Sequence, residues 1–470
     1  MSMSESTIDD DSPAGEPRRT VGSTRYVSSL VRRLHFYAGV LVAPFILVAA
    51  VTGGLYAVAP TIERFVYRDV LTVEPGADTL SLVAQSAAAQ ASVPDLTMVG
   101  VRPAPGPEDS TRVLFADPRL DPEGTGETRL AVFVDPHGGQ VLGSEPVWFG
   151  YLPVSTWLDG LHRHLQLGEP GRVYSELAAS WLWVVALGGV CLWWTRRRAE
   201  RRRRGVGRLL LVDATSTGRS RTLNWHAVVG IWILPMLLFL SATGITWSTF
   251  AGATVTDLRA QFGWERPQLD TAMVHPGHGG QVSPVAGGPV DLDGVVAAAN
   301  GVGVDAPLEI SLPAEHGEAV GVSELDEAFR LTTNAAAVDP STMTVTGVVD
   351  YARDYSPIAK LADWGIRMHM GFLFGVWNQL LLLGVALALV TVIVRGYRMW
   401  WQRRPTRGRQ WAVGRPPARG LLRRQRPAVL AAVAVLAVGV GVFLPLLGIG
   451  LVAFLAVDVI LGRIKASGVR

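Results

Sequence analysis

The chain has 470 residues, of which 49% are hydrophobic, a formal net charge of +3 and a single cysteine, Cys191. Its apolar residues are gathered in long runs rather than spread periodically, which is typical of an integral membrane protein. One cysteine excludes disulfide-stapled outer domains and thiolate metal sites. The basic residues lie next to the apolar runs, so the charge gives no support for nucleic-acid binding.

The predicted elements begin with a polar segment and continue with four apolar runs. Residues 1–24 contain no apolar stretch typical of a signal peptide, so we expect a disordered cytoplasmic tail. The last apolar run is broken by Pro445, which predicts two short spans joined as a hairpin or one kinked re-entrant element. The expected segments are a first span in 25–59, an outer module in 60–160, an outer helix end and second span in 161–197, a basic loop in 198–222, a third span in 223–250, a second outer module in 251–365, an outer helix end and fourth span in 366–404, a basic loop in 405–426 and the hairpin in 427–462.

Arginines cluster at one end of each of the four spans. They stand at Arg32 and Arg33, in 196–208, at Arg219 and Arg221, and in 403–424. By the positive-inside rule these ends are cytoplasmic, so both termini are expected inside and the two long loops outside. The run 196–208 is explained by topology alone or as a docking surface for an acidic cytoplasmic partner.

An internal repeat relates the two halves of the chain. The first and third runs match at a constant offset of 191 residues, and the second and fourth at an offset of 207. Because both copies cross in the same sense, the axis relating them is expected to run along the membrane normal. The identities pair His35 with His226, Gly39 with Gly230, Pro44 with Pro235, Thr52 with Thr243, Gly53 with Gly244, Trp157 with Trp364, His162 with His369, Gly168 with Gly375, Gly189 with Gly396, and Trp193 and Trp194 with Trp400 and Trp401.

The two long loops each predict a small α+β module. Alternating runs at 130–134 and 308–312 indicate strands, and Ala-rich segments at 79–91 and 292–299 indicate helices. In each half a strand is followed by Asp-Pro, at 135–136 and 339–340. The fold class is therefore an α-helical membrane protein with a duplicated helix, outer-module, helix unit and a C-terminal helical hairpin.

Four histidines obey the repeat and divide by membrane face. His35 and His226 open spans on the cytoplasmic side, whereas His162 and His369 precede spans on the outer side. An axis along the normal lets the members of each pair face each other. Imidazole in a membrane helix is costly unless it is paired or used, so these residues are candidate functional groups.

Two facing histidines without cysteine or carboxylate suit axial ligation of haem iron. Zinc fits less well, because its sites need three or four protein ligands. Gly39 and Gly230 share a helix face with His35 and His226 and would leave room for a flat macrocycle; Gly168 and Gly375 are assigned a similar role. The alternative is that each histidine only anchors a helix end at the interface.

Other polar residues are weaker candidates. Asp363 and Arg367 lie near His369 and are candidates for contact with haem propionates or a substrate, or are ordinary headgroup residues. His164 follows His162 by two residues and points away from it, so this substrate-side candidate is a spare outer ligand, a proton carrier or a residue without a role. His275 and His278 lie in a Gly- and Pro-rich stretch that is most simply a loop, and His137 is most simply a turn residue. The paired tryptophans near the arginines are typical of an aromatic belt. An unbroken helix from His369 to Trp400 would be about 45 Å long and would carry His369 beyond the membrane surface.

The chain contains no G-x-G-x-x-G after a strand, no Walker loop and no Ser-His-Asp or H-E-x-x-H arrangement. It is therefore not expected to bind its own nicotinamide or ATP. An electron carrier of this kind needs an external donor, either a cytoplasmic flavoprotein or membrane quinol.

Several stretches resemble the PepSY-associated transmembrane family, over about residues 28–405. They are Arg33-Leu-His-Phe-Tyr-Ala-Gly, Leu161-His-Arg-His-Leu, Asn224-Trp-His, Ile366-Arg-Met-His-Met-Gly-Phe-Leu-Phe-Gly-Val-Trp-Asn-Gln and Met399-Trp-Trp-Gln-Arg-Arg. The resemblance implies PepSY-like outer modules and a bacterial inner-membrane protein linked to iron uptake, similar to a two-haem siderophore reductase that releases iron from ferrioxamine. It implies His35, His162, His226 and His369 as ligands of two haem b groups.

Function is therefore expected to be transmembrane reduction of a ferric siderophore or other ferric chelate. A haem-free protein whose PepSY-like modules bind or regulate an extracytoplasmic partner such as a peptidase is the alternative. A metal permease is a third reading, which the scarcity of acidic residues in the spans disfavours.

Overall fold

The computed structural model describes residues 23–204, 210–271, 290–313, 318–402 and 427–467. In these residues the protein is mostly helical and carries one antiparallel sheet. The expected N-terminal tail, apart from its last two residues, and the whole arginine run at 403–424 lie outside this part of the chain.

The first expected span is not one straight helix. It consists of α1 (Ser23–Leu41) and α2 (Ala43–Ala57), whose axes are bent by 59°. Pro44 lies in the first turn of α2. Proline has no N–H to donate, so it cannot continue the hydrogen bonding of α1, whereas the first turn of α2 needs no such donor. The span expected in 25–59 is therefore sharply bent, because the chain turns at Val42.

Three longer helices have the length and composition to cross a membrane, and the bent pair counts as a fourth if it forms one span. The first two of these long helices are α7 (Glu169–Arg204) and α8 (Gly218–Ile245). They follow four shorter helices, α3 (Ala59–Val66), α4 (Arg68–Leu71), α5 (Leu82–Ser92) and α6 (Pro153–His164). The third, α13 (Gly375–Trp401), follows α9 (Phe250–Phe262), α10 (Leu292–Asn300), α11 (Tyr351–Asp354) and α12 (Pro357–Met370). The chain closes with α14 (Pro427–Phe443) and α15 (Pro445–Ser467), whose apolar parts are shorter.

Two short helices carry the chain into α7 and α13. Helix α6 ends at Leu165, which has a φ of 54°, and α12 ends at Gly371, which has a φ of 91°. A left-handed residue at this position terminates a helix and reverses the chain. The chain from His369 to Trp400 is therefore not one unbroken helix, and α12 packs against α8.

All eight described strands form one antiparallel sheet with the order β4-β3-β2-β1-β5-β6-β7-β8. Each half of the chain supplies four consecutive strands, and the halves meet where Gly100 and Val101 of β1 pair with Ser311 and Ile310 of β5. The absence of a side chain at Gly100 permits this approach, because a Cβ there would lie 2.7 Å from the Ile310 carbonyl oxygen. The strands are β1 (Thr97–Arg102), β2 (Thr111–Ala116), β3 (Thr128–Val134), β4 (Val141–Trp148), β5 (Leu308–Ser311), β6 (Val320–Glu324), β7 (Ala335–Asp339) and β8 (Thr344–Val349).

Helices α5 and α10 cover the sheet and share one core with strands from both halves. Polar contacts also join the halves: the Glu309 carboxylate lies 2.6 Å from the Arg102 guanidinium and 3.1 Å from that of Arg129, and Asp293 accepts a hydrogen bond from the Leu82 amide. The two modules predicted from the sequence are thus parts of one continuous sheet, placed at one end of the helix bundle.

Candidate functional site

The helix bundle holds two pairs of facing histidines. The distal pair, His35 on α1 and His226 on α8, lies far from the sheet, and its ring centres are 6.3 Å apart. The sheet-side pair, His162 on α6 and His369 on α12, has ring centres 6.4 Å apart. The structure therefore brings together the four histidines in the two combinations that the repeat predicts.

The Nδ1 atoms of the distal pair contact main-chain carbonyl oxygens. His35 Nδ1 lies 2.9 Å from the Val185 oxygen, and His226 Nδ1 lies 2.9 Å from the Val392 oxygen. A carbonyl oxygen only accepts, so each Nδ1 must carry the proton and donate it. Each Nε2 of a neutral ring then has a free lone pair.

The Nδ1 atoms of the sheet-side pair contact threonine hydroxyls instead. His162 Nδ1 lies 3.0 Å from Thr52 Oγ1, and His369 Nδ1 lies 2.6 Å from Thr243 Oγ1. Each hydroxyl also donates its one proton to the carbonyl oxygen four residues earlier in its own helix, at Val48 or Phe239. The threonine oxygen can then only accept, so these imidazoles have the same tautomer as the distal pair.

The four Nε2 atoms make no hydrogen bond to the residues that the structure describes. All four rings are only partly buried. The arrangement is the one found at histidine metal ligands, where the other ring nitrogen donates to an oriented acceptor. Each pair therefore contains two ring nitrogens without a hydrogen-bond partner among the described residues.

Glycines provide the space in which the rings lie. A Cβ at Gly189 would lie 3.3 Å from His35 Cε1, and one at Gly53 would lie 2.9 Å from His162 Cε1. The matching positions in the other half, Gly396 and Gly244, would place a Cβ 3.7 Å from His226 and His369. The rings therefore pack directly on helix backbones.

The other glycines singled out from the sequence behave differently from one another. At Gly39 and Gly230 a Cβ would meet nothing within 4 Å, so both positions border open space. Gly168 and Gly375 have φ values of 63° and 56° and begin α7 and α13. A Cβ at Gly168 would meet nothing within 4 Å and one at Gly375 would meet Ala328, so neither packs on a histidine ring, and their role beside the outer histidines stays a prediction.

An aromatic ring flanks each sheet-side histidine. Tyr56 is stacked on His162 with centres 6.4 Å apart, and Trp247 lies 6.1 Å from His369. Both follow the acceptor threonine by one helical turn, but Tyr56 is 7% exposed and Trp247 is 39% exposed. The sheet-side pair is therefore enclosed on the first-half side and open on the second.

Asp363 and Arg367 lie in a buried ion-pair network. Arg367 is 3% exposed, its Nε is 2.8 Å from Asp326 Oδ1 and its Nη1 is 3.6 Å from Asp363 Oδ2. Burial raises the pKa of the Asp326 carboxyl, and Arg367 acts against that rise. Both residues proposed from the sequence for substrate contact thus have protein partners, and Arg367 fastens α12 to the loop between β6 and β7.

The remaining candidates have various positions. His137 donates to the carbonyl oxygens of Asp78 and Pro107, which together raise its pKa, so it ties loops together. His164 lies beside a cavity described below. His275 and His278 lie outside the described residues. Trp194 and Trp401 are more than half exposed at the ends of α7 and α13.

A conventional metal site is not present in the described part of the chain. No three His, Cys, Asp or Glu side chains converge there. A histidine pair supplies only two ligands, which falls short of the usual zinc set.

Most of the chain matches a known protein family. The family described as PepSY-associated TM region matches residues 32–403, most of the chain's length. The chain therefore belongs to the PepSY-associated TM region family, and the family resemblance predicted from its motifs is confirmed. The bend at Val42, the helices α7, α8 and α13 and the four histidines all lie within the match.

One curated relative is the uncharacterized protein PA4219 of Pseudomonas aeruginosa. It is 38% identical to this chain over 96 residues, which cover 20% of this chain and 21% of that protein. The matched part is thus about a fifth of each protein's length.

Sequence reasoning missed the groups that orient the rings. Thr52 and Thr243, and Gly189 and Gly396, stood among the repeat identities, and their recurrence was the available signal. The carbonyl groups of Val185 and Val392 carry no such signal, because every residue type provides one.

Proposed function

We propose that this protein carries electrons across a membrane through haem b held at two sites and reduces a ferric chelate. The observation that supports the proposal is the pair of histidine pairs, one at each level of the bundle, with all four Nδ1 protons committed to acceptors. His35 and His226 would hold one group, and His162 and His369 the other.

The ring spacing fits axial ligation of one iron by two imidazoles. Two metal–nitrogen bonds of about 2 Å, with about 1 Å from each nitrogen to its ring centre, place ring centres roughly 6 Å apart. The observed values of 6.3 and 6.4 Å agree with this spacing. A haem held by two histidines would supply electron transfer rather than oxygen binding.

The surroundings supply what such a ligand needs. The acceptors at Val185, Val392, Thr52 and Thr243 fix each tautomer with Nε2 free. The open space beside Gly39 and Gly230 leaves room for a flat ring system. A bound haem would supply one-electron chemistry, while the histidines hold and orient it and the apolar helices exclude water.

The two levels are separated by most of a membrane's thickness. Helix α8 is continuous from His226 to Thr243, the partner of His369, a rise of about 25 Å. Two groups at these levels would shorten the gap that an electron must cross. A single pair would serve only one face.

The sidedness follows from the arginine pattern. We infer a bacterial inner-membrane location with both termini in the cytoplasm and the sheet outside. We also infer that the halves are copies of one helix, module, helix unit, that the modules are PepSY-like, and that α14 and α15 form a two-span hairpin. The recurrence of His–carbonyl and His–threonine contacts at offsets of 207 and 191 supports the duplication.

Donor and acceptor follow from the same topology. Electrons would come from a cytoplasmic flavoprotein or from quinol, and the acceptor would be a ferric siderophore or similar chelate outside. Reduction to Fe(II) weakens hard oxygen-donor coordination, so one electron loosens the chelate's hold on iron.

The absorption spectrum of the purified full chain tests the proposal. We expect a Soret band that sharpens with α and β bands on reduction, and about two haems per chain. Purified protein that lacks these bands after expression with ample haem would contradict it. That result would favour a haem-free PepSY-associated membrane protein whose modules bind or regulate an extracytoplasmic partner such as a peptidase.

A further inference from the structure

A cavity of about 410 Å³ lies where α6 meets the strands of the first half. Its volume falls within the range of small-molecule sites. One wall is formed by Pro146, Val147 and Trp148 of β4, with Thr128 of β3. The other wall is the face of α6 that points away from His162, together with Gln166 just beyond the helix.

The lining combines aromatic faces with hydrogen-bond donors. The Arg163 guanidinium lies 4.9 Å from the Trp148 ring centre and 3.4 Å from Asp159 Oδ2. Trp157 is 56% exposed. Asp159 neutralises one charge of the lining, but a guanidinium has five N–H groups, so Arg163 retains donors for a ligand.

His164 is the second polar group of the cavity. Its Nδ1 atom is buried and has no hydrogen-bond partner among the described residues. A buried polar atom without a partner is uncommon in folded proteins and marks a place where a missing partner would be stabilising. His164 thus has no role in either proposed haem site.

The corresponding face in the second half is filled. Position 160 is glycine, whereas its counterpart, Arg367, is buried and paired with Asp326. The counterparts of Arg163 and His164 are Met370 and Gly371. The donors and the space therefore occur together in the first half alone.

We propose that this cavity binds a planar, anionic, aromatic oxygen-donor group, such as the catecholate or phenolate edge of a ferric chelate. The tryptophan faces would stack on the aromatic ring, and Arg163 would donate to its anionic oxygens. The proposal rests on the proposed function for its choice of ligand. It names the chelate class: aromatic and anionic rather than aliphatic and cationic.

The location suits delivery of an electron from the sheet-side pair. His162 and the cavity lie on opposite faces of α6, about one helix diameter or roughly 10 Å apart. A chelate held there would lie within the outer half of the protein and close to the proposed haem site.

Binding is measured apart from reduction by using gallium(III), which has the charge of ferric iron but is not reduced. The probe is gallium(III) 2,3-dihydroxybenzoate, and gallium(III) acetohydroxamate is the comparison compound. Calorimetric titration of the full chain is expected to show tighter binding of the aromatic complex. Arg163→Gln is expected to weaken that binding by about tenfold or more, since it removes a charge-assisted contact.

Arg172→Gln is the matched control, because Arg172 also forms a surface ion pair, 3.6 Å from Glu169, and does not line the cavity. Equal binding by the two variants, equal binding of the two gallium compounds, or no binding by the unaltered chain overturns the proposal. Trp148→Leu gives a second, uncharged change with the same expected loss.

The haem spectrum recorded on the same samples separates the two proposals. Binding of the aromatic complex by a chain without haem leaves the cavity proposal standing while the reductase proposal fails. A normal haem spectrum without binding of the aromatic complex overturns the cavity proposal and leaves the reductase proposal standing.

Discussion

The two histidine pairs share a spacing but differ in what holds them. In the distal pair, each ring donates to a main-chain carbonyl oxygen, which no substitution can remove. In the sheet-side pair, each ring donates to a threonine hydroxyl, which one substitution can remove. The distal pair also joins two long helices, whereas each sheet-side histidine ends a short helix. The sheet-side pair is thus the more adjustable of the two.

Removal of one histidine from each pair is expected to give the largest effect. His226→Ala and His369→Ala should each lose about one haem per chain and retain the other, because the two sites share no ligand. Haem content is measured from the bis-pyridine complex. His164→Ala is the control and should keep both haems; loss of both from a single-ligand variant, or of neither, would contradict two separate sites.

Replacement of a threonine should affect the sheet-side pair alone. Thr243→Val leaves the His369 Nδ1–H without an acceptor, and loss of an outer partner of a metal ligand typically weakens binding about 10–100-fold. We expect faster loss of one haem to an acceptor such as apomyoglobin, and recovery in Thr243→Ser. If Thr243→Ser loses haem as fast as Thr243→Val, the hydroxyl is not the orienting group.

A methyl group added at Gly53 should be worse tolerated than one added at Gly244. At Gly53 the new Cβ would lie 2.9 Å from His162, and at Gly244 it would lie 3.7 Å from His369, an ordinary contact. Overpacking of this kind costs about 1–3 kcal/mol. Detergent unfolding titrations should show the loss for Gly53→Ala and little change for Gly244→Ala; the reverse order would contradict the geometry.

The distal pair should show a weaker form of the same contrast. Gly189→Ala would place a Cβ 3.3 Å from His35 Cε1, and Gly396→Ala would place one 3.7 Å from His226 Cε1. We expect a cost under about 1 kcal/mol for Gly189→Ala, since a shift of a few tenths of an ångström relieves the contact. The same unfolding titration measures this cost. A larger loss of stability in Gly189→Ala than in Gly53→Ala would contradict the prediction that the sheet-side pair is the more tightly packed.

The apolar runs and the repeated histidines could be found in the sequence because hydrophobic length and internal identity are local signals. The bend after Leu41 could not. Pro44 and Pro235 occupy matching positions, yet α8 continues through Pro235 whereas the first span breaks before Pro44. The same residue thus gives two outcomes, and the packing around each helix decides between them.

The sequence also did not predict that the two modules share one sheet. Residues 130–134 and 308–312 were predicted as strands, and β3 and β5 confirm them closely. Nothing local in these strands indicates that β1 pairs with β5 across some two hundred residues, because strand pairing depends on long-range contacts. The chain turn after Met370 was missed for a related reason: Gly371 permits a left-handed backbone but does not require one.

The central antiparallel pairing of β1 with β5 resembles the strand pairing found at the interface of a two-fold dimer. In a true homodimer every substitution appears twice, so both faces of the assembly change together. Here one half can acquire Arg163 and His164 while the other keeps Met370 and Gly371. A single polypeptide can therefore keep matching histidines in its helix bundle and yet have different residues on the outer faces of α6 and α12.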